Sequence, residues 1–196
     1  MNVSRETEAR LAAYAALIRK WNPRINLVAP STLTNLETRH IADSLQIATI
    51  TGPVSGHWVD LGSGGGLPGL VMAIAHAEHD IRFTLIESDQ RKSTFLRTVI
   101  RELGLKNAQV IAQRIEQADP QNADHISARA LASLANLMPF LHRHMTPDGH
   151  AWLMKGENWQ AELAEAAQEW HFRHQSFPSQ TNPSAAILKI TKVSHV

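Results

Sequence analysis

The chain of 196 residues contains no cysteine. This absence excludes disulfide bonds, cysteine-ligated metal sites and cysteine nucleophiles. No stretch approaches the ~20 consecutive apolar residues that a membrane-spanning helix requires, and residues 1–6 are polar and offer no apolar signal core. We therefore expect a cytoplasmic protein that does not span a membrane.

The sequence also lacks a predominant charge. Lys and Arg number 19 against 18 Asp and Glu, giving a formal net charge of +1, which excludes a global basic field of the kind that attracts polyanions. Basic residues are nevertheless concentrated between Arg91 and Arg114, where Glu102 is the only acidic residue. This pattern is equally typical of a solvated helix face and of a surface that meets RNA or phosphate.

Two amphipathic patterns predict a helical N-terminal extension over residues 1–52. The first helix covers residues 4–21 and should end at Trp21-Asn22-Pro23, because a residue that precedes proline avoids the α region. Thr34-Asn35-Leu36-Glu37 matches a capping box and predicts the start of the second helix. Thr51-Gly52-Pro53 predicts where that helix stops. Two helices bury too little surface to form an independent domain.

Strand and helix patterns alternate from residue 53 to residue 196, which predicts an α/β domain with a parallel sheet covered on both faces. The last two strands depart from this alternation and predict a hairpin at the edge of the sheet. The predicted strands cover 57–61, 82–87, 108–112, 124–128, 149–154, 171–177 and 185–193, and the predicted helices cover 68–77, 90–103, 133–145 and 158–168.

The segment DLGSGGGLPG, from Asp60 to Gly69, is typical of a strand that ends in a glycine turn and continues into a helix. Glycine tolerates positive φ angles and lets a ligand approach the backbone closely. Pro68 suits the first turn of the helix, because its missing N–H would be unpaired there in any case. Such a turn at the carboxyl end of a sheet builds a nucleotide-sized pocket.

Two cofactor classes fit this turn. Residues 64–69 match the G-x-G-x-x-G fingerprint of dinucleotide-binding proteins, so an NAD-dependent oxidoreductase is one alternative. Asp60, however, would repel a pyrophosphate and favour the sulfonium and ammonium groups of S-adenosylmethionine. Glu87 follows the next strand, where an acid binds ribose hydroxyls in both classes. The residues thus favour S-adenosylmethionine, with Asp60, Gly64 and Glu87 as candidate contacts.

The same turn resembles the D-x-G-x-G-x-G-x-P-G motif of the bacterial 16S rRNA guanine-N7 methyltransferases, also called glucose-inhibited division protein B. Further segments that resemble this family follow in the family's order, so the resemblance covers about residues 20–156. These segments are Trp21-Asn22-(x)3-Asn26-Leu27, Arg39-His40-Ile41-x-Asp43-Ser44, Glu87-Ser88-(x)2-Arg91-Lys92-(x)2-Phe95-Leu96-Arg97, Ser127-Ala128-Arg129-Ala130-(x)2-Ser133-Leu134 and Lys155-Gly156.

The resemblance implies an α/β fold of the class I, Rossmann-like S-adenosylmethionine-dependent methyltransferases, with a mostly parallel seven-stranded sheet and the helical N-terminal extension. It implies transfer of a methyl group to N7 of a guanine in 16S rRNA, in the decoding-region loop of the small ribosomal subunit. The expected partner is therefore 16S rRNA or the small subunit, and the expected protein is a monomer. A methyltransferase that acts on a small molecule or a protein is the alternative.

The resemblance also implies site residues. Gly62, Leu67, Ile115, Glu116 and Arg129 correspond to the cofactor contacts of the family. Guanine N7 carries a lone pair and no proton, so its methylation needs alignment and no general base. Groups that stabilise charge on the guanine ring could still contribute, and Arg129 and Lys155 are the candidate catalytic residues. The expected RNA contacts are Arg39, His40, Arg91 and Lys92.

Arg129 stands between small, apolar neighbours, and a cation in such a setting usually has an anionic partner. The cofactor carboxylate, an RNA phosphate and Asp43 are all candidates. The eleven histidines form no pattern of metal ligands, and we expect no metal.

Overall fold

The computed structural model describes residues 4–196 and contains a seven-stranded mixed sheet with the strand order β3-β2-β1-β4-β5-β7-β6. Strands β1 to β5 are parallel, while β7 runs antiparallel between β5 and β6. The predicted terminal hairpin is therefore confirmed, with β6 at the edge. The strands are β1 Gly56–Leu61, β2 Ile81–Ile86, β3 Ala108–Ile111, β4 Ala123–Arg129, β5 Met145–Lys155, β6 Trp170–Pro178 and β7 Ala186–His195.

The helices follow the predicted alternation from residue 69 onward. They are α1 Arg5–Ile25, α2 Asp43–Thr51, α3 Gly69–Ala75, α4 Gln90–Glu102, α5 Leu134–His144 and α6 Trp159–Ala166. The hydroxyl of Ser4 caps α1 by accepting from the Thr7 N–H, and the carboxylate of Asp89 caps α4. None of the helices within residues 4–196 has the length and apolar content needed to cross a membrane.

The first helix continues beyond its predicted end. It passes through Pro23 to Ile25, and Asn26 ends it with a left-handed φ of 47°. Buried Asn22 accounts for this ending, because its side-chain oxygen accepts hydrogen bonds from the N–H groups of Leu27 and Val28, both at 2.8 Å. The prediction that Pro23 stops the helix was therefore wrong, since burial of Ile25 and the Asn22 bonds outweigh the local preference.

The predicted capping box does not form either. Pro30–Asn35 is a 3-10 helix and Glu37–Ala42 is a π-helix that leads directly into α2. Leu36 has helical backbone angles and there is no side-chain cap, so the chain does not enter a helix anew at Thr34. Glu37 instead forms an ion pair with Arg19 at 2.7 Å.

The N-terminal helices share an apolar core with the sheet-covering helices. Tyr14 and Ile18 of α1 are fully buried in one cluster with Leu70 of α3 and Phe95 of α4. We therefore propose that residues 4–52 are an extension of the domain at 53–196 and not a separate unit. Residues 1–3 of this extension lie outside the described residues.

Candidate functional site

A cleft of about 590 Å³ lies at the carboxyl ends of β1, β2 and β4. Seven of the residues predicted to bind the cofactor line it: Gly62, Gly64, Leu67, Glu87, Ile115, Glu116 and Arg129. Lys92, predicted to meet RNA, also lines the cleft. Leu131 and Phe140 complete one wall, although no motif in the sequence singles them out.

The glycine turn forms a cradle that side chains would disturb. Gly62, Gly64 and Gly66 have φ angles of +63°, +54° and +89°, a region that favours glycine. A Cβ at Gly62 would lie 2.6 Å from Cδ1 of Leu131, whereas the space beside Gly64 is open apart from the Gly62 oxygen at 3.8 Å. Because this space belongs to the cleft, a ligand can approach the Gly64 backbone.

Glu87 joins this turn to the next helix. Its Oε2 accepts a hydrogen bond from the Gly64 N–H at 2.7 Å, and its Oε1 accepts one from the Asp89 N–H at 2.8 Å. Each carboxylate oxygen can accept a second hydrogen bond, so both oxygens keep capacity for hydroxyl donors in the cleft. The position fits the predicted role of an acid that binds ribose hydroxyls.

Asp60 does not lie in the cleft, contrary to the sequence prediction. It is 1% exposed and packs behind the turn, against Gly69 at the start of α3. Its Oδ1 accepts a hydrogen bond from the Ser127 hydroxyl at 2.6 Å, and within the described residues its Oδ2 lies beside Gly69 without a hydrogen bond. Asp60 therefore supports the turn from behind, and burial raises its pKa to about 6.

This buried carboxyl predicts a pH dependence of stability. A carboxyl with a higher pKa in the folded state than in the unfolded state binds its proton more tightly when folded, so the stability that it contributes falls as the pH rises from about 4 to about 6. The shift in pKa from 3.8 to about 6 corresponds to a loss of about 3 kcal/mol in the free energy of unfolding across this pH range. Urea unfolding between pH 4 and pH 7 measures the effect. As the pH rises through this window, the wild type should lose free energy of unfolding relative to Asp60→Asn, which has no carboxyl at this position. A difference that is constant with pH would contradict the assignment.

The N-terminal extension supports the same turn from the other side. The hydroxyl of Tyr14 donates a hydrogen bond to the Gly65 carbonyl at 2.6 Å, and a Cβ at Gly65 would lie 3.2 Å from Cβ of Leu27. Tyr14 is fully buried, and burial raises the pKa of its phenol, which keeps the donor proton in place. Sequence reasoning missed this role, because Tyr14 occupies an ordinary position in the apolar stripe of α1.

We expect Tyr14→Phe to lower the free energy of unfolding by about 1–2 kcal/mol, because the Gly65 carbonyl loses its buried donor. The melting temperature should fall by about 2–4 °C for each kcal/mol lost. Urea denaturation at constant m-value measures the change. Unaltered stability would show that the hydrogen bond to Gly65 contributes nothing net.

Arg129 reaches the cleft from the end of β4 and is held by two residues of the N-terminal extension. Its Nη2 donates a hydrogen bond to Nδ1 of His40 at 2.7 Å, and its Nη1 lies 3.7 Å from Oδ2 of Asp43. Of the anionic partners expected for Arg129, Asp43 is the one that the chain itself provides.

The hydrogen bonds also assign the tautomer of His40. The hydroxyl of Thr32 donates to the Ala29 carbonyl at 2.7 Å, so it must accept from Nε2–H of His40 at 2.8 Å. This leaves Nδ1 of His40 as the acceptor for Arg129. Burial, followed by the positive charges of Arg129 and Arg39, lowers the pKa of His40 to about 4. His40 is therefore a neutral support for Arg129, a role different from the predicted RNA contact.

Lys155 does not fit the predicted catalytic role, because it is 8% exposed and lies outside the cleft lining. Its Nζ donates hydrogen bonds to the Ala132 carbonyl at 2.7 Å and to Oε2 of Glu162 at 2.8 Å. The same Glu162 oxygen accepts from the Leu134 N–H at 2.7 Å. Lys155 and Glu162 thereby fix the turn after β4 that forms one wall of the cleft.

The remaining predicted RNA contacts lie on the surface. Arg39 on the π-helix and Arg91 on α4 are exposed, and Arg91 lies 3.6 Å from Asp89. Neither lines the cleft.

The cleft lining also contains Ile115, which is buried, and Glu116, which is exposed. Fully buried His144 donates from Nε2 to the Ile115 carbonyl at 3.0 Å. Sequence reasoning missed His144, which stands with other basic residues at the end of α5. Within residues 4–196, no three His, Cys, Asp or Glu side chains are grouped to hold a metal ion.

Solved structures with a similar architecture identify the fold. An S-adenosylmethionine-dependent methyltransferase from Aquifex aeolicus superimposes with a TM-score of 0.63 at 14% identity, over 90% of this chain and 97% of that chain. A mutant of MtNAS crystallised with S-adenosylmethionine also gives 0.63, at 16% identity, over 94% of this chain and 75% of that chain. The fold is that of the class I, Rossmann-like methyltransferases, which confirms the predicted fold class.

Sequence comparisons narrow the class to a family. The family model described as rRNA small subunit methyltransferase G (GidB) matches residues 7–188. The ribosomal RNA small subunit methyltransferase G of Paracoccus denitrificans is 55% identical over the full length of both chains. That of Ruegeria pomeroyi is 50% identical, over all of this chain and 96% of the relative. The chain belongs to the GidB family of ribosomal RNA methyltransferases, and the predicted resemblance is confirmed.

Proposed function

We propose that this protein transfers the methyl group of S-adenosylmethionine to N7 of a guanine in 16S rRNA. The observation that carries the proposal is the Arg129 guanidinium, held by His40 and Asp43 at the edge of a glycine-lined cleft. Membership of the GidB family supports ribosomal RNA as the acceptor. The same membership weighs against the NAD-dependent oxidoreductase.

The cleft fits this cofactor in size and in the chemistry of its walls. Glu87 offers carboxylate oxygens for ribose hydroxyls beside the open space at Gly64. Ile115 offers an apolar surface for an aromatic ring, and Glu116 offers an acceptor next to it. S-adenosylmethionine supplies a methyl group on a positively charged sulfur, which makes the methyl carbon an electrophile.

The reaction requires the protein to align N7 of guanine with the methyl carbon. The lone pair of guanine N7 forms a bond to the methyl carbon while the carbon–sulfur bond breaks, and its electron pair stays on sulfur. No proton moves in this step, so no general base is needed. Positive charge develops on the guanine ring, and carbonyl O6 lies next to N7. Arginine commonly recognises that edge of guanine.

Arg129 can serve this edge because its supports leave donors free. A guanidinium has five N–H donors; His40 accepts from one of them at Nη2, while Asp43 forms an ion pair with Nη1 at 3.7 Å, beyond hydrogen-bond distance. We propose that a remaining donor binds O6 of the acceptor guanine, which orients N7 toward the methyl group. Lys92 at the rim, with Arg39 and Arg91 outside it, is proposed to bind phosphates that position the RNA.

Mapping of 7-methylguanine in 16S rRNA from cells that lack this protein tests the proposal. We expect one guanine to lose its methyl group and to regain it when the gene is restored. Purified protein with labelled S-adenosylmethionine should transfer label to small-subunit RNA. An unchanged methylation map would overturn the proposed function. Label recovered in a protein or a small molecule would favour the alternative acceptors.

A further inference from the structure

The connection between β6 and β7 reaches back to the N-terminal extension. This connection, residues 179–185, is ordered by its own hydrogen bonds, since the Ser179 hydroxyl accepts from the N–H groups of Thr181 and Asn182, both at 3.2 Å. The Ser179 N–H also donates to the Ala185 carbonyl at 3.0 Å. A loop at the edge of the sheet therefore has a defined shape with which to contact α2.

The loop meets Asp43 through two hydroxyl groups. Ser179 and Thr181 donate to Oδ1 of Asp43 at 3.1 and 2.6 Å, and the side-chain amide of Gln46 donates to the same oxygen at 2.8 Å. The N–H of Gln180 donates to Oε1 of Gln46 at 2.7 Å. Thus Oδ1 of Asp43 has three donors, and three hydrogen bonds tie the loop to the start of α2.

These bonds hold the Asp43 carboxylate with its other oxygen toward Arg129. With Oδ1 held by three donors, Oδ2 is the oxygen left to face the Arg129 guanidinium, at 3.7 Å. A carboxylate without such donors would rotate about its terminal torsion, which is broad and roughly two-fold. The loop thereby restricts the orientation of Asp43. Asp43 and His40 in turn restrict the orientation of Arg129.

We propose that Ser179 and Thr181 are positioning residues for methyl transfer, because through Asp43 they hold the Arg129 guanidinium in its orientation toward the cleft. This inference rests on the proposed role of Arg129. The bond from Thr181 to the Asp43 carboxylate lies at an exposed position, where water can replace the lost donor and the contribution to stability is small. Their loss should therefore affect the site more than the fold.

The double variant S179A/T181V tests the inference, with steady-state methyl transfer to small-subunit RNA as the first readout. We expect kcat to fall about tenfold, which corresponds to about 1.4 kcal/mol, with little change in the melting temperature. The matched variant S179A/T181S keeps the hydroxyl at position 181, and its kcat should be higher than that of S179A/T181V and close to that of S179A alone. Ser184→Ala removes a hydroxyl of the same loop that makes no hydrogen bond within residues 4–196 and should behave as wild type.

The second readout does not depend on activity. NMR titration of the His40 ring reports where Arg129 lies, because burial lowers the pKa of His40 most, the charges of Arg129 and Arg39 lower it further, and Asp43 raises it. If the guanidinium moves away in S179A/T181V, the pKa of His40 should rise from about 4. An unchanged His40 titration, or a wild-type kcat, would overturn the inference. If Arg129→Ala were fully active while the His40 titration shifted, the proposed role of Arg129 would fail and the positioning by the loop would stand.

Discussion

Arg129→Ala is expected to lower kcat/KM for methyl transfer to ribosomal RNA by about 100-fold, because misplacement of a reacting group by about 1 Å has an effect of this size and Arg129 is proposed to align guanine N7 with the methyl carbon. The guanidinium is positioned before RNA binds, since His40 and Asp43 hold it at 2.7 and 3.7 Å. Alanine removes the donor and leaves the supports without a cation. Transfer of labelled methyl groups to small-subunit RNA measures the effect.

Two controls separate chemistry from folding. Arg129→Lys keeps the positive charge and loses the forked geometry that lets one group contact His40, Asp43 and the guanine together, so we expect it to be nearly as impaired as alanine. Leu131→Met changes a neighbouring residue of the same wall at similar volume and should keep the melting temperature and most activity. Full activity of Arg129→Ala in a folded protein would exclude Arg129 from the reaction.

Local sequence rules predicted the parts of the site that a single segment builds. The glycine turn and Glu87 follow directly from strand ends, and parallel strands bring their carboxyl ends to the same edge of a sheet. The alternation of elements predicted the fold for the same reason, because each βαβ unit is short-range. The terminal hairpin joins two strands through a short loop, and its pattern was also visible in the sequence.

Residues whose environment depends on distant segments were harder to place. Asp60 and Lys155 are charged residues that belong to predicted site motifs. In the fold, Asp60 is buried behind the glycine turn, and Lys155 donates a hydrogen bond to Glu162. Tyr14 looks like any core residue until its hydroxyl meets Gly65, 51 residues away. Thr181 and Asp43 are 138 residues apart in the chain, and no local pattern links them.

Glu87→Ala is expected to weaken S-adenosylmethionine binding by about 100-fold. The substitution removes the acceptor of the Gly64 and Asp89 N–H groups as well as the proposed acceptor of the ribose hydroxyls. Hydrogen bonds to a charged group are worth about 1.5–3 kcal/mol each, and about 2.7 kcal/mol of lost binding free energy corresponds to 100-fold. Isothermal titration calorimetry with the cofactor alone measures the loss without RNA.

Glu87→Gln refines this expectation, because glutamine keeps one carbonyl acceptor and turns an amide donor toward a backbone N–H. Its affinity should fall between those of the wild type and alanine, at about tenfold below the wild type. Glu102→Gln changes an exposed acid at the end of α4 and serves as the matched control. If Glu87→Ala bound S-adenosylmethionine within about twofold of the wild type, the acid would serve only to join the glycine turn to α4, and the ribose would have to find its acceptors elsewhere in the cleft.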